Sequence, residues 1–444
     1  MNARIPSFLF LCLASGLLGV SLYSGYSFDE PASPERAPIP AELVEINHLA
    51  PVFVQIELPE TDWDVVQAPV PPTNDFKLAV QAPQVAWPEQ APPPQVTRYQ
   101  PRVEVKLDIS VLDAESFSQL TWTTGETLHG APVSTPILVA KGKEAGQTLC
   151  VTAAVHGDEL NGIESIRRLM YSVNVTKLKG TIIGVPIVNL QGFQRHSRYL
   201  ADRRDLNRFF PGNPRGSVAA RMAHGFFEGV IRQCDGLVDL HTGSFHRNNL
   251  PQLRADLHNE EVLELTQGFG ATTILHSSGG EGTLRRAAVN VGIPAVTLEA
   301  GEPMRLQETA VEHTVKALFT LLDTLEMYDK RSFWGNPEPT YYQSSWVRAD
   351  QGGMLFSTVK LGKRVAAGDV LGSVTDPITN EHATIVAPYA GRLIGMAVNQ
   401  FVMPGYAAFH LAAETDLSNP QETPSEHNAE LDVAAIDSRN IEES

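Results

Sequence analysis

Between about residues 136 and 327, apolar runs of strand length alternate with stretches of helical periodicity. TLCVTAAV (148–155) and TIIGVPIV (181–188) are continuous apolar runs, the pattern of strands covered on both faces. Between them, Ile163, Ile166, Leu169 and Met170 recur at helical spacing and predict a helix over 159–171. A long polar loop runs from Asn189 to Gly216, and Ser217 is a good N-cap for the helix expected after it. DGLVDL, TTIL and PAVTLE predict three more strands, alternating with helices over 260–268, 283–291 and 308–325. This alternation implies an α/β fold, a mostly parallel mixed sheet between helices, with ligands gathered at the carboxyl ends of the strands.

The pattern changes on either side of that region. From about residue 336 short β-branched runs punctuated by glycine predict a small all-β, barrel-like domain over 336–413. It resembles the flattened barrel of biotinyl and lipoyl carriers, but its turn reads PYAGRL and offers no lysine, so it is read as structural. Ahead of the α/β region, expected to span 116–335, fifteen of the chain's 31 prolines fall between Pro31 and Pro101. Proline removes backbone donors, so residues 26–115 read as a spacer or extended arm, within which VFVQIEL (52–58) alternates enough for a strand. Residues 5–28 carry no charge, follow Arg4 and precede Asp29 and Glu30. The first 25 residues are therefore read as an export signal or a membrane anchor, placing the folded part in the periplasm or on the outward face of the inner membrane.

Composition narrows the function. Apolar residues make up 43% of the 444 and charged residues 19%, ordinary for a folded protein. The formal charge of −17 excludes a nucleic-acid binder that works through massed Lys and Arg. Part of that excess sits in residues 414–444, read as a disordered acidic tail, where nine carboxylates face one arginine. Cys150 and Cys234 lie in apolar runs and read as two small buried thiols, with a disulfide the open alternative.

The candidate chemistry begins at VHGDE. His156 ends a strand and Glu159 opens the next helix, so both side chains can point at one spot. His241, at the end of GLVDLH, supplies a third ligand from a second strand end on the same rim. Two imidazoles and a carboxylate suit zinc, one ion per chain, with a fourth position left for water. Asp239, two residues earlier on the same strand face, is placed to orient a ligand.

The order HGDE (156–159), RDLNRFFPG (204–212), DLHTG (239–243) and TLEAG (297–301) resembles the succinylglutamate desuccinylase/aspartoacylase family, relatives of the zinc carboxypeptidases. The resemblance implies that His156, Glu159 and His241 bind zinc and that Glu299 is the general base and acid. It also implies that Asn207 and Arg208 grip a substrate carboxylate and that an arginine polarises the scissile carbonyl. Arg204, inside the matching RDLNR, is chosen for that last role; Arg198, in the same basic loop, is the competitor and is otherwise read as substrate-binding. The expected activity is hydrolysis of an amide bond in a small carboxylate-bearing substrate. Two alternatives stand beside it, a carboxypeptidase-like or cell-wall peptide amidase acting on short peptides and a catalytically silent binding protein on the same fold.

Overall fold

The computed structural model describes residues 9–14, 17–22, 103–104, 107–128, 131–328, 340–341 and 343–413. The chain divides into two units, Met1–Trp87 and Pro88–Ser444. In the first, Leu9–Ala14 pairs antiparallel with Leu17–Leu22. The rest of the predicted export segment, the strand expected at 52–58 and the acidic tail lie outside the described residues. Among the described residues no helix is long and apolar enough to cross a membrane.

The second unit carries the strands β1 (Ser116–Leu128), β2 (Ala131–Lys141), β3 (Glu144–Ala153), β4 (Lys179–Val185), β5 (Gly236–His241), β6 (Arg247–Ala255), β7 (Thr273–His276) and β8 (Ala295–Gly301). Its helices are α1 (Leu160–Ser172), α2 (Leu190–Gln194), α3 (Val218–Gly229), α4 (Glu260–Thr266), α5 (Leu284–Val289) and α6 (Glu308–Thr324). Side-by-side order in the sheet is β1-β2-β4-β3-β5-β8-β6, with β4, β3, β5 and β8 mutually parallel at the centre. The α/β fold expected from the apolar pattern is the one observed.

Alternation along each buried strand divides the interior into two cores. Leu149, Val151 and Ala153 of β3 join Val238, Leu240, Val296 and Leu298 under α1 and α6. Cys150 of β3 joins Ile183, Leu237 and Ala295 on the opposite face, under α3 and α5. Both faces of these strands are thus covered, which is why they read as unbroken apolar runs. Ser217 caps α3 by accepting from the Ala220 amide, and Thr283 caps α5 by accepting from that of Arg286.

One observation corrects the expectations, and two extend them. Cys150 and Cys234 are joined by a disulfide with Cα atoms 5.7 Å apart, linking β3 to the segment before β5. Leu107 is 1% exposed and belongs to the second core, so the folded part begins before residue 116. The C-terminal strands also do more than form a separate barrel. They are β9 (Gln343–Arg348), β10 (Gly353–Ser357), β11 (Val370–Thr375), β12 (His382–Val386), β13 (Gly391–Ala397), β14 (Gln400–Val402) and β15 (Ala407–Ala413). Strands β12-β11-β10-β14 make a four-stranded antiparallel sheet, whereas β13, β15 and β9 extend the main sheet, β13 pairing with β6.

The strand β6 was not foreseen, because Pro251 lies in its middle and proline argues against a central strand. The proline is tolerated at a handover. Residues 247–249 pair with β13 and residues 252–255 with β7, and the register against β8 shifts between Glu299 and Gly301.

Candidate metal centre and its pocket

The parallel register lifts two rungs of polar side chains to the strand ends on the α3/α5 face. Thr152, Asp239 and Thr297 are aligned across β3, β5 and β8, and one step further Glu299 is aligned with His241. His156 follows β3, and its carbonyl accepts from the Glu159 amide at 3.2 Å, a tight turn that brings the two side chains together. Glu159 sits at the N-cap of α1 but gives its carboxylate to the histidines instead of to the helix.

His156 Nδ1 lies 2.8 Å from Glu159 Oε1, and His241 Nδ1 lies 2.8 Å from Glu159 Oε2. All three residues are buried. The far nitrogen of each ring meets a second carboxylate: His156 Nε2 is 3.1 Å from Asp205 Oδ1, and His241 Nε2 is 2.8 Å from Asp239 Oδ2. Asp239 is itself held by the Thr152 hydroxyl, which donates to Oδ1 at 2.6 Å. Arg198 bridges the assembly, donating to Glu159 Oε1 and to Asp205 Oδ2 at 3.2 Å each.

The electrostatics are those of a centre that gathers positive charge. Burial works against the charged form of His241, yet Asp239 and Glu159 raise its pKa well above the usual imidazole value. His156 is raised as well, burial and Arg198 being outweighed by Glu159 and Asp205. Burial raises the Glu159 carboxyl, but the two histidines hold it well below the usual carboxylate range. Protons on these rings and a metal ion compete for the same lone pairs. Two imidazole Nδ1 atoms and a carboxylate, facing one another with each ring braced from behind, form a donor set that fits a divalent first-row metal.

Most of the site residues expected from sequence meet in one pocket, lined by His156, Glu159, Arg198, Asn207, Arg208, His241 and Glu299. Asn207 Oδ1 accepts from the Leu284 amide at 2.8 Å, pinning the loop to the start of α5. Arg208 donates to the Asn207 carbonyl at 3.0 Å. Arg204 is the exception and its assignment is corrected. Its side chain is 41% exposed, pairs with Asp202 at 2.9 Å and does not line the pocket. The backbone there turns through a left-handed Arg203 (φ 66°), which directs the loop away after Arg198. Arg198, by contrast, lines the pocket beside the His156–Glu159–His241 cluster.

Other pocket residues escaped the sequence reading. Asn249 on β6 donates to Glu299 Oε2 at 3.0 Å, and Arg254 on the same strand lies 3.7 Å from Oε1. Asp205, which stands behind His156 and Arg198 and does not line the pocket, was not singled out from sequence either. The only signal for it was its place in RDLNR, two residues before Asn207. Ser344, Ser345, Trp346, Ala407 and His410 bring β9 and β15 of the C-terminal region into the pocket wall.

Comparison with known proteins agrees with the fold. Residues 145–325 match the family described as succinylglutamate desuccinylase/aspartoacylase catalytic domain. An N-alpha-acetyl-L-2,4-diaminobutyric acid deacetylase from Halomonas elongata is 27% identical over 280 residues, 59% of this chain and 79% of that one. A succinylglutamate desuccinylase structure from a Silicibacter species superposes with a TM-score of 0.61 at 25% identity, covering 68% of this chain and 97% of that one. The ectoine utilization protein EutE (DoeB) from Ruegeria pomeroyi shares the fold with a TM-score of 0.62 at 23% identity, over 68% of this chain and 97% of that one. Residues 145–325 thus match the catalytic-domain model of the succinylglutamate desuccinylase/aspartoacylase family. The class to which these likenesses point is that of the amide-bond hydrolases.

Proposed function

We propose that this protein is an exported, zinc-dependent deacylase that cleaves the amide bond of a small N-acylated substrate bearing a free carboxylate. The observation that carries this reading is the meeting, in one pocket, of the buried His156–Glu159–His241 cluster, Glu299 in register with His241, and Arg208. Zinc in such a site supplies Lewis acidity, polarising the amide carbonyl and letting water act as a nucleophile near neutral pH. Glu299 takes the proton from the attacking water and delivers it to the amine nitrogen as the carbon–nitrogen bond breaks. Asn249 and Arg254 hold its carboxylate for both transfers. Arg198, beside the metal cluster, places positive charge where negative charge grows on the carbonyl oxygen.

Arg208 and Asn207 read the substrate carboxylate, a planar guanidinium being suited to a two-point contact. The test is a panel of N-acyl amino acids against their carboxamides, on the zinc-loaded protein. The free acids should be favoured by roughly 10² or more in kcat/KM, and Arg208→Ala should make acid and amide nearly equivalent. Equal hydrolysis of both by the wild type removes carboxylate recognition and favours a peptide amidase instead.

Export rests on the uncharged run 5–28 and its flanking charges. A C-terminal fusion reporter that works only in the cytoplasm should stay silent, and a signal from it removes this part of the proposal.

A further inference from the structure

The wall of the pocket contributed by β6 and the C-terminal strands holds a positive charge that the hydrolytic chemistry does not use. Arg247, the first residue of β6, lines the pocket. Its Nε donates to the Ala407 carbonyl at 3.0 Å, and its guanidinium carbon lies 4.9 Å from the centre of the Trp346 ring and 4.7 Å from that of Tyr406. Tyr406 is itself anchored, its hydroxyl donating to the Phe245 carbonyl at 2.7 Å.

The turn that delivers Arg247 is held in a costly shape. Phe245 and His246 have φ of 52° and 60°, a left-handed conformation that bulky side chains disfavour. The C-terminal strands hold it there, because the His246 carbonyl accepts from the Val398 amide at 2.9 Å and from Gln400 Nε2 at 3.0 Å. The contacts of Arg247 occupy its Nε and its flat face. Among the described residues, no carboxylate lies within ion-pair distance of it. The neighbouring pocket arginines differ: Arg198 is paired with Glu159 and Asp205, and Arg254 with Glu299. Burial and the positive charges of Arg348 and Arg198 lower the pKa of Arg247, so its surroundings call for an anion. A partly buried guanidinium without a counter-ion is unfavourable until one arrives.

Resting on the deacylase reading, we propose that Arg247 is a second anion-reading residue of this pocket, so that the substrate carries another carboxylate besides the one met by Arg208. The stacked, tethered guanidinium presents its two terminal nitrogens as a fixed fork, which matches a carboxylate better than a mobile ammonium would. Selection then depends on the C-terminal strands, because they alone supply Trp346, Tyr406 and the Ala407 carbonyl.

The experiment measures binding, so it does not depend on turnover. Succinate, glutarate and adipate are titrated calorimetrically into the zinc-loaded full chain, each against its own monoamide. At least one diacid should bind tenfold or more tightly than its monoamide. In Arg247→Met that advantage should fall below about threefold. Arg247→Lys, which keeps the charge without the planar fork, should lie between them and carries the test if the Met variant does not fold. Metal content and melting temperature confirm the state of each variant. A wild type without any diacid preference, or a preference that survives both substitutions, overturns the proposal. Failure to hydrolyse every N-acyl amino acid would instead refute the proposed reaction and leave this binding result standing.

Discussion

The two walls of the pocket differ in how their polar atoms are satisfied. On the inner wall Glu159 Oε1 meets His156 and Arg198, and Oε2 meets His241 and the Thr242 amide at 3.1 Å. Each histidine has a carboxylate at both ring nitrogens. On the inner wall only Arg198 Nε is left over, whereas on the outer wall Asn249 Oδ1, Arg254 Nε and His410 Nδ1 are buried without a hydrogen-bond partner. Buried polar atoms are ordinarily paired, so those left over mark the surface completed by a ligand. On the deacylase reading, the inner wall would serve metal and chemistry, whatever the substrate. The outer wall, together with Arg208, would then discriminate between substrates.

Glu299 stands on the seam between the walls, and the largest expected effect tests whether the seam is real. It is in register with His241 on the inner side and is held by Asn249 and Arg254 on the outer side. Glu299→Gln preserves shape and a bond to Asn249 but cannot take a proton. Turnover should fall by a factor on the order of 10² or more. Elemental analysis should find the zinc content unchanged. Near-normal turnover, or loss of the metal, would merge the seam into the inner wall and end the assignment of Glu299 as base.

The same division explains what could be read from the chain. Each inner-wall ligand sits in a short motif at the end of an apolar strand, and strand ends on a parallel sheet share a rim. The sequence HGDE, the DLH of β5 and the TLE of β8 therefore located His156, Glu159, His241 and Glu299 together. The outer wall had no such signature. Arg247, Trp346 and His410 are brought together by pairing of β6 with β13 and of β15 with β13 and β9, contacts between residues up to 150 positions apart (Arg247 with Ala397). Pro251 concealed β6 itself. Arg204 was chosen over Arg198 because it lay inside the motif, but whether an arginine faces a pocket is decided by the loop's backbone path. The disulfide was open for a similar reason, since two cysteines in neighbouring strands pair only when their register brings them close.

A smaller effect should separate the braces of the inner wall from the ligands they hold. Asp205 and Asp239 each accept from the far side of one histidine, which fixes the ring and strengthens it as a ligand. Replacing either with Asn keeps nearly the same shape and removes the charge. Metal affinity, measured by competition with a chelating dye, should weaken roughly 10-fold to 100-fold in both variants. The two should then part company when metal is saturating. Asp239 is otherwise bonded to Thr152, so Asp239→Asn should recover most of its turnover. Asp205 also pairs with Arg198 Nη2, so Asp205→Asn should stay impaired in kcat even when fully loaded, because the arginine beside the carbonyl has lost one of its two anchors. If both variants bind metal as tightly as the wild type, the carboxylates behind the rings are structural only. If Asp205→Asn recovers as fully as Asp239→Asn, Arg198 is held by Glu159 alone, and the inner wall is less tightly coupled than its hydrogen bonds imply.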